Sequence, residues 1–335
     1  MQLLRQLCRR YASAKARMQV KRMLARCYAR GIKGDLKMPR GEAVFYVGRV
    51  VKTGFDTKEF IGALIDSKPF YNNEIVWSII EVEQVTLENQ VYIKEELSKA
   101  RPDARVTVLN TELSKKEEKE EPRLVQGISE FVYLPEFSGI AFRSIPNQIE
   151  PKAFIRIFSK IIENTLGNFF IQCEIKMLDD LRSFYDRLSL MDSIEVIKAR
   201  VKHPNPLFGK LWESLKKYLN DRKLDELQLK EIAKKKGINT KIKELIQLIL
   251  EESEQKIQEY IAENQISLTD LALLMSLDGY GDGRLDGKQG QKHFFIKTHE
   301  KIVHFSLPTE HDFTAIYNET NIILKGISDE RYMEH

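Results

Sequence analysis

The sequence predicts an α+β fold, with a ferredoxin-like β-α-β sandwich followed by a helical region and a C-terminal β-hairpin. Between residues 129 and 203, segments rich in β-branched and aromatic residues alternate with segments whose apolar residues recur every three or four positions. A proline-containing break follows at 203–209, and helical spacing continues from there to about residue 275. This order of elements is typical of an α+β sandwich with a helical addition.

Composition limits the classes of protein to which the 335-residue chain can belong. The chain is 42% hydrophobic, which is enough for a buried core, and it has no run of 18 apolar residues, which excludes a membrane span. The cysteines Cys8, Cys27 and Cys173 form no CxxC pair, and their odd number suits no disulfide framework. We therefore expect a cytoplasmic protein with free thiols, no membrane partner, no cofactor and no resident metal.

A basic arm at residues 1–37 precedes the globular pattern. It carries eleven Lys or Arg residues and one acidic residue, Asp35, whereas the rest of the chain holds 42 basic and 48 acidic residues. Three interpretations stay open: an extension upstream of Met38, an arm that contacts nucleic acid, and a targeting segment. Because the body has a net charge of −6, any binding of nucleic acid by the body must be local.

An α+β domain is predicted at residues 38–202. Asp56 is placed to cap its first helix, and Pro151 suits the first turn of its second helix. A charge run at 113–123 predicts a solvated loop. Segment 90–99 fits a strand or a helix equally well. The other predicted strand segments are 43–51, 75–85, 104–110, the hairpin 129–145, 169–178 and 194–203, and the predicted helices are 57–67, the segment from 151 and 178–191.

The C-terminal part is predicted as a Lys-rich helical region, 203–275, and a β-hairpin with a tail, 276–335. The glycine-rich segment 279–290 predicts a turn, because glycine and aspartate favour turns. The closing hairpin is predicted from the strand-like segments 292–298 and 301–307, and the last twenty-odd residues are predicted to form a short helix and a frayed tail.

The segment that says most about function is 224–252. Between Lys210 and Lys243 the chain holds eleven basic and five acidic residues, and this local charge of +6 can hold a phosphate backbone. The alternative is two amphipathic helices whose lysines are only solvated. The candidate nucleic-acid-binding residues are Lys234, Lys235, Lys236, Lys241 and Lys243.

This segment resembles the helix–loop–helix nucleic-acid modules called SAP and Rho-N-terminal domains. The resemblance rests on a leucine-spaced helix, a Gly followed by an apolar residue, a short basic turn and a second helix. The turn is shorter here than in those modules, which argues against phosphate contact by the second helix's N-terminus. The residues concerned are Leu229, Ile232, Gly237, Ile238, Lys241, Lys243, Leu245 and Ile246.

A second hypothesis is a metal-dependent nuclease or toxin. Glu174 and Lys176 are two residues apart on a predicted strand, so both side chains lie on one face, as in restriction-type nucleases. Glu150 and Glu163 are the upstream carboxylates that could join them. An E-x-K triplet is also frequent by chance in a chain this rich in Glu and Lys, and no other catalytic motif is present, so we lean towards a protein that is not an enzyme.

The chain as a whole resembles an uncharacterised family of bacterial proteins often found near phage-defence genes. The resemblance rests on three segments: FVYLPEFSGIAFRSI, VKHPNPLFGKLW and GYGDGRLDGK. It implies a bacterial protein of the cytosol, with a role in antiviral defence, and it transfers no catalytic residues. Three functions are therefore carried forward: a protein that binds DNA or RNA, a nuclease, and an interaction subunit that binds a protein partner.

Overall fold

A computed structural model describes residues 41–110, 115–202, 213–252 and 254–331. The basic arm at 1–37 and the predicted break at 203–209 lie outside the described residues. The strands are β1 (Glu42–Thr53), β2 (Phe70–Asn72), β3 (Ile75–Leu87), β4 (Gln90–Asn110), β5 (Lys115–Leu134), β6 (Gly139–Arg143), β7 (Gln172–Met177), β8 (Ser193–Lys202), β9 (Glu226–Ile232), β10 (Gly281–Gln289), β11 (Lys292–Lys297) and β12 (His304–Pro308). The helices are α1 (Thr57–Ile65), α2 (Pro151–Leu166), α3 (Leu181–Ser189), α4 (Glu213–Asp221), α5 (Ile242–Glu251), α6 (Glu254–Glu263), α7 (Leu268–Met275) and α8 (Phe313–Arg331).

The predicted helix starts are confirmed where the sequence carries a cap. The Asp56 side chain accepts the backbone N–H of Glu59, and the Glu59 side chain accepts that of Asp56, which forms a capping box at the start of α1. Pro151 occupies the first turn of α2, where its missing N–H costs no hydrogen bond. Gly167 ends α2 in the left-handed conformation, at a φ of 63°.

The larger sheet has the strand order β12-β1-β6-β5-β4-β3-β2, and β7 also pairs with β1. Gly48 of β1 lies opposite Ile140 of β6 on one edge and Met177 of β7 on the other, and both pairings are antiparallel. β6 and β7, joined by α2, therefore form a split β-α-β unit around β1. The α+β class is confirmed, but the ferredoxin-like prediction is wrong: the sheet is a curled antiparallel half-barrel. The predicted next strand, β8, leaves this sheet for a second one.

The smaller sheet has the order β11-β10-β8-β9 and is also antiparallel. Strand β9 lies within the region predicted to be helical, so that prediction is wrong for residues 226–232. Leu227 and Leu229 are two residues apart and face the protein, while Gln228 and Lys230 are exposed, which is the period of a strand. The first helix that SAP and Rho-N-terminal modules need is therefore a strand here, and that resemblance is wrong.

The predicted charged loop is wrong for a reason of strand pairing. Residues 115–123 of the predicted charged loop are the first part of β5, paired with residues 101–110 of β4. Since β3 pairs with β4 only as far as Ala100, this part is a two-stranded ribbon, on which Glu118, Lys119 and Glu120 are exposed.

At the C-terminus, β11 pairs with β10, and β12 joins the larger sheet, so the predicted hairpin of 292–298 with 301–307 does not form. Residues 281–289 of the glycine-rich segment are strand β10 instead of a turn. The helix predicted near the C-terminus is confirmed as α8, and at 19 residues it is longer than expected.

The half-barrel is covered on both faces by apolar side chains. On one face, Phe131 and Phe142 pack against Phe154 and Phe158 of α2, with the Phe142 and Phe154 rings stacked at 4.0 Å. The other face packs against the helices that also cover the inner face of the smaller sheet. The outer face of the smaller sheet is left to solvent. None of the helices in the described ranges combines the length and the apolar character needed to cross a bilayer.

Candidate functional site

The solvent-facing side of the smaller sheet carries a groove of about 640 Å³, and half of its ten described lining residues are basic. We call this the basic groove. Among its described lining residues, Asp282 is the one acid. The basic lining residues are Lys198 and Arg200 of β8, Lys230 of β9, Arg284 of β10 and Lys297 of β11.

Strict alternation along the strands places these side chains on the outer face. Ile197, Ala199 and Val201 of β8 are buried, so Lys198 and Arg200 between them face outward. On β10 the inward positions next to β8 include Gly281, where an added Cβ would lie 2.0 Å from the Arg200 carbonyl oxygen. Glycine is therefore required for β10 to pair closely with β8 and to complete the groove.

Three of the five cations have no carboxylate partner in the described part of the chain: Lys198, Lys230 and Lys297. The other two are paired at 2.6 Å, Arg200 with Glu226 and Arg284 with Asp286. The groove therefore presents free ammonium groups together with guanidinium groups that could exchange a carboxylate for a phosphate.

An exposed aromatic ring stands at the edge of the basic groove. Phe295 of β11 is 46% exposed, although it is large and apolar. The guanidinium of Arg284 lies 4.5 Å from the centre of its ring and the ammonium of Lys297 lies 5.1 Å from it. Both contacts are cation–π interactions that hold the ring at the surface between two cations.

The end of the groove near Asp282 meets the predicted E-x-K pair on β7. Lys176 Nζ lies 2.7 Å from Asp282 and 3.3 Å from Glu174, and Lys202 Nζ lies 3.3 Å from Glu174. Glu174 and Lys176 share one face of β7, as the sequence predicts. The second carboxylate is Asp282, from a strand 106 residues after Lys176.

The predicted upstream carboxylates do not join this cluster. Glu163 accepts the backbone N–H of Cys173 and pairs with Lys160, and Glu150 stands at the start of α2. Among the described residues, no group of three His, Cys, Asp or Glu side chains could hold a metal ion.

His299 links the cluster to the end of β7. Its backbone N–H donates to Asp179 at 2.7 Å, and its ring Nε2 lies 3.0 Å from the Gly281 carbonyl oxygen and 3.3 Å from Asp282. Burial raises the pKa of Asp179 to about 7. Burial opposes protonation of His299, but its hydrogen bond to Asp282 and the charge of Asp179 raise its pKa overall. The hydrogen bond from His299, helped by Lys176, holds the pKa of Asp282 well below its ordinary range.

A fully buried arginine fixes the position of the turn that precedes Asp282. Arg49 Nε donates to the Asp278 carbonyl oxygen at 2.9 Å, and its Nη1 donates to that of Phe137 at 2.5 Å. Its guanidinium also lies 4.9 Å from the centre of the Tyr280 ring. These contacts tie the π-helical turn before β10 to strand β1, so the half-barrel sets where Asp282 stands.

A second polar cluster lies inside the half-barrel, away from the groove. Lys52 Nζ donates to Ser138 Oγ at 2.8 Å and to the Tyr133 hydroxyl at 3.2 Å. Burial lowers the pKa of Lys52 to about 8. Glu95, on the same sheet, is fully buried with both carboxyl oxygens lacking a hydrogen-bond partner in the described residues, and burial raises its pKa far above the ordinary range. These groups are shielded from solvent, so we do not include them in the candidate site, and their burial costs stability.

The five lysines predicted to bind nucleic acid do not form one cluster. Lys234, Lys235 and Lys236 form an exposed turn after β9. Lys241 precedes α5, with its backbone N–H donating to Asp270, and Lys243 Nζ lies 3.4 Å from the Ser189 carbonyl oxygen. Their role as binding residues stays a prediction, on a turn and a helix start instead of a helix–loop–helix.

The fold and the site together define an α+β protein whose smaller sheet carries the basic groove on its outer face, with the exposed ring of Phe295 at the edge of the groove. A domain of unknown function, DUF4747, matches residues 74–256, more than half of the chain, so the chain belongs to the DUF4747 family. The match includes β8 and β9 and ends before β10. A search of the curated proteins finds no match. The prediction of an uncharacterised family is thus confirmed, while its connection with phage defence stays a prediction.

Proposed function

We propose that the protein binds nucleic acid, DNA or RNA, through the basic groove. The observation that carries the proposal is the convergence of five basic side chains from four strands on one open sheet face. Three of them have no carboxylate partner in the described part of the chain. Cations that no protein anion neutralises are the groups that bind phosphates and release counterions. The exposed ring of Phe295 adds a surface on which a base can stack.

The positive charge of the basic groove favours a polyanionic ligand over other kinds of partner. The body of the chain outside the arm is acidic overall, so a face with this excess of cations is a departure from the average surface. The paired arginines also favour phosphate, because a planar guanidinium binds phosphate and carboxylate oxygens in the same bidentate geometry.

Charge reversal in the full chain tests this proposal. The variant Lys198→Glu/Lys230→Glu/Lys297→Glu changes three exposed side chains and should weaken binding of a labelled oligonucleotide at low salt by at least about tenfold. The matched control, Lys234→Glu/Lys235→Glu/Lys236→Glu, makes the same change of charge on the turn after β9 and should have a much smaller effect. Fluorescence anisotropy measures both.

The reverse result would place binding at the predicted lysines and reject the groove. No binding of DNA or RNA by the wild-type chain at low salt would reject the proposal as a whole. Purification with one stoichiometric protein and no nucleic acid would then favour the interaction subunit.

A metal-dependent nuclease is the second candidate, and the position of Asp282 favours it. Glu174 and Asp282 both pair with the Lys176 ammonium, at 3.3 and 2.7 Å. Mg²⁺ is commonly held by one or two carboxylates together with substrate phosphates, so this pair would suffice once a strand lies in the groove. Cleavage of oligonucleotides in Mg²⁺ that Glu174→Gln and Asp282→Asn each abolish, with binding retained, would support this function. Cleavage that survives either change would reject it.

We propose a role in antiviral defence as an extension of this function, because a protein that binds nucleic acid can act on the nucleic acid of a phage. Bacteria that carry the wild-type chain should then form fewer phage plaques than bacteria that carry the groove variant. Equal plaque counts would remove this part of the proposal and leave the binding activity in place.

A further inference from the structure

Two aromatic side chains project into solvent beyond one end of the basic groove. Phe169 is 98% exposed and Phe170 is 83% exposed, and their rings meet edge to face at 6.2 Å. Exposed aromatic groups of this size mark interaction surfaces, because a soluble protein gains by burying them.

Hydrogen bonds within the loop fix the backbone that carries this pair. Gly167 ends α2 at a φ of 63°, and the backbone N–H groups of Phe170 and Ile171 donate to the side chain and the carbonyl oxygen of Asn168. Ile171 is buried and fixes the start of β7. The two rings are thus presented by an ordered turn, which lowers the entropy cost of binding a ligand to them.

Contacts along the chain place the pair at the end of the groove opposite Phe295. Gln172, two residues after Phe170, accepts a hydrogen bond from Lys202 at the end of β8, and Lys198 and Arg200 of the groove precede Lys202 on that strand. At the other side, Phe295 lies opposite Asp286, and Asp286 lies opposite Val196. Lys202 is six positions after Val196 on β8, which is about 20 Å at the rise of a strand. The cations therefore lie between two aromatic sites.

We infer that the preferred ligand is single-stranded nucleic acid, with unpaired bases stacked on Phe295 and on the pair Phe169 and Phe170, and its phosphates on the basic groove. This inference rests on the proposed function and names its substrate class. Bases in a duplex are already paired and stacked, so they cannot lie on rings at a protein surface, whereas bases of a single strand can. The span between the aromatic sites suits the ~4–16 nucleotides that single-strand-binding domains cover.

The test compares single-stranded RNA, single-stranded DNA and the corresponding duplex, each about 12 nucleotides long, on the full chain at low salt. Wild-type protein should bind a single strand more tightly than the duplex. Phe169→Ser/Phe170→Ser and Phe295→Ala should each weaken single-strand binding about tenfold and leave duplex affinity unchanged. Tyr71→Ser is the matched control, because Tyr71 is 69% exposed on strand β2 of the other sheet, and it should change neither. The RNA and DNA arms show which strand is preferred.

Stacking has its own readout, which separates it from a general loss of binding. At protein concentrations that saturate the strand with either protein, a 2-aminopurine base in the strand should lose fluorescence on wild-type protein and keep it on the Phe169→Ser/Phe170→Ser variant. The rings are exposed, so the melting temperature of this variant should equal that of the wild type. Any variant that melts earlier is replaced by the milder Phe→Leu change, which keeps the apolar volume but removes the ring.

Several outcomes would overturn the inference. One is a duplex that binds as tightly as the single strand, and another is aromatic variants that bind the single strand like wild type. A third is binding to anionic vesicles that depends on Phe169 and Phe170 while oligonucleotide affinity stays unchanged. In each of these cases, binding that still depends on Lys198, Lys230 and Lys297 leaves the proposed function standing. Absence of all nucleic-acid binding would remove both.

Discussion

Neutralising three lysines of the basic groove should flatten the salt dependence of nucleic-acid binding by a predictable amount. Lys198, Lys230 and Lys297 are exposed and have no carboxylate partner in the described residues, so each can neutralise one phosphate and release its counterion. Changing all three to Gln removes these contacts while keeping side chains of similar polarity. The fold should be unaffected, because none of the three is buried.

The size of the effect follows from the number of contacts. Each phosphate neutralised on a single strand contributes about −0.7 to the slope of log K against log salt concentration. The triple variant should therefore have a slope that is shallower than the wild-type slope by about 2. This difference does not depend on how much the eleven basic residues of the arm contribute, because the arm is the same in both proteins.

Fluorescence anisotropy titrations over a range of salt concentrations measure the slope. The control is Lys234→Gln/Lys235→Gln/Lys236→Gln, which removes the same charge from the exposed turn after β9 and should change the slope by much less. Equal changes in the two variants would show that binding responds to net charge alone. An unchanged slope in the groove variant would refute the reasoning, since it would mean that no phosphate lies on these lysines.

Three predictions concern stability, each measured by urea unfolding. Burial lowers the pKa of Lys52 from 10.5 to about 8. Burying the charged ammonium therefore lowers the free energy of unfolding of the wild type below pH 8, and this loss disappears as the pH rises to 10.5. The difference in free energy of unfolding between Lys52→Met and wild type should thus fall by about 3 kcal/mol between pH 8 and pH 10.5. A difference that stays constant over this range would contradict the prediction. Glu95→Met should stabilise the protein by about 1–3 kcal/mol at neutral pH, and by more at pH 8 than at pH 5, because a buried acid of raised pKa costs stability as the pH rises. A loss of stability would show that the carboxyl has a partner. Gly281→Ala should destabilise the protein by about 1–3 kcal/mol, because the added Cβ meets the Arg200 carbonyl oxygen. Gly62→Ala is the control: its Cβ meets no atom within 4 Å on helix α1, so it should be neutral or stabilising. Equal effects would refute the packing argument.

Local signals were sufficient to predict the elements that depend on local chemistry. Asp56 and Pro151 mark helix starts because capping and proline geometry act within a few residues. The two-residue period placed Glu174 and Lys176 on one face of a strand. Asp282 could not be predicted as their neighbour, because only the pairing of β10 with β8 brings it there.

Sheet order explains most of what sequence reasoning missed. Strand β9 lies among lysine-rich segments of helical composition, and its extended state depends on pairing with β8. The basic groove draws one or two cations from each of four strands, so no single strand supplies most of its charge. The alternation of apolar and charged residues between Ile197 and Val201 was the available signal. It predicts that the charged side chains of this strand face solvent, but it does not show which strands lie beside it.

Photo-cross-linking of a single-stranded oligonucleotide to the full chain tests the central claim most directly, because it shows where the ligand lies. Mass spectrometry of the digested complex identifies the linked peptides. We predict cross-links concentrated in β8, β10 and β11, with Phe295 among the modified residues, and their loss when Lys198, Lys230 and Lys297 are changed to Glu. Cross-links confined to the turn at Lys234–Lys236 or to residues 1–37 would contradict the assignment of binding to the outer face of the smaller sheet.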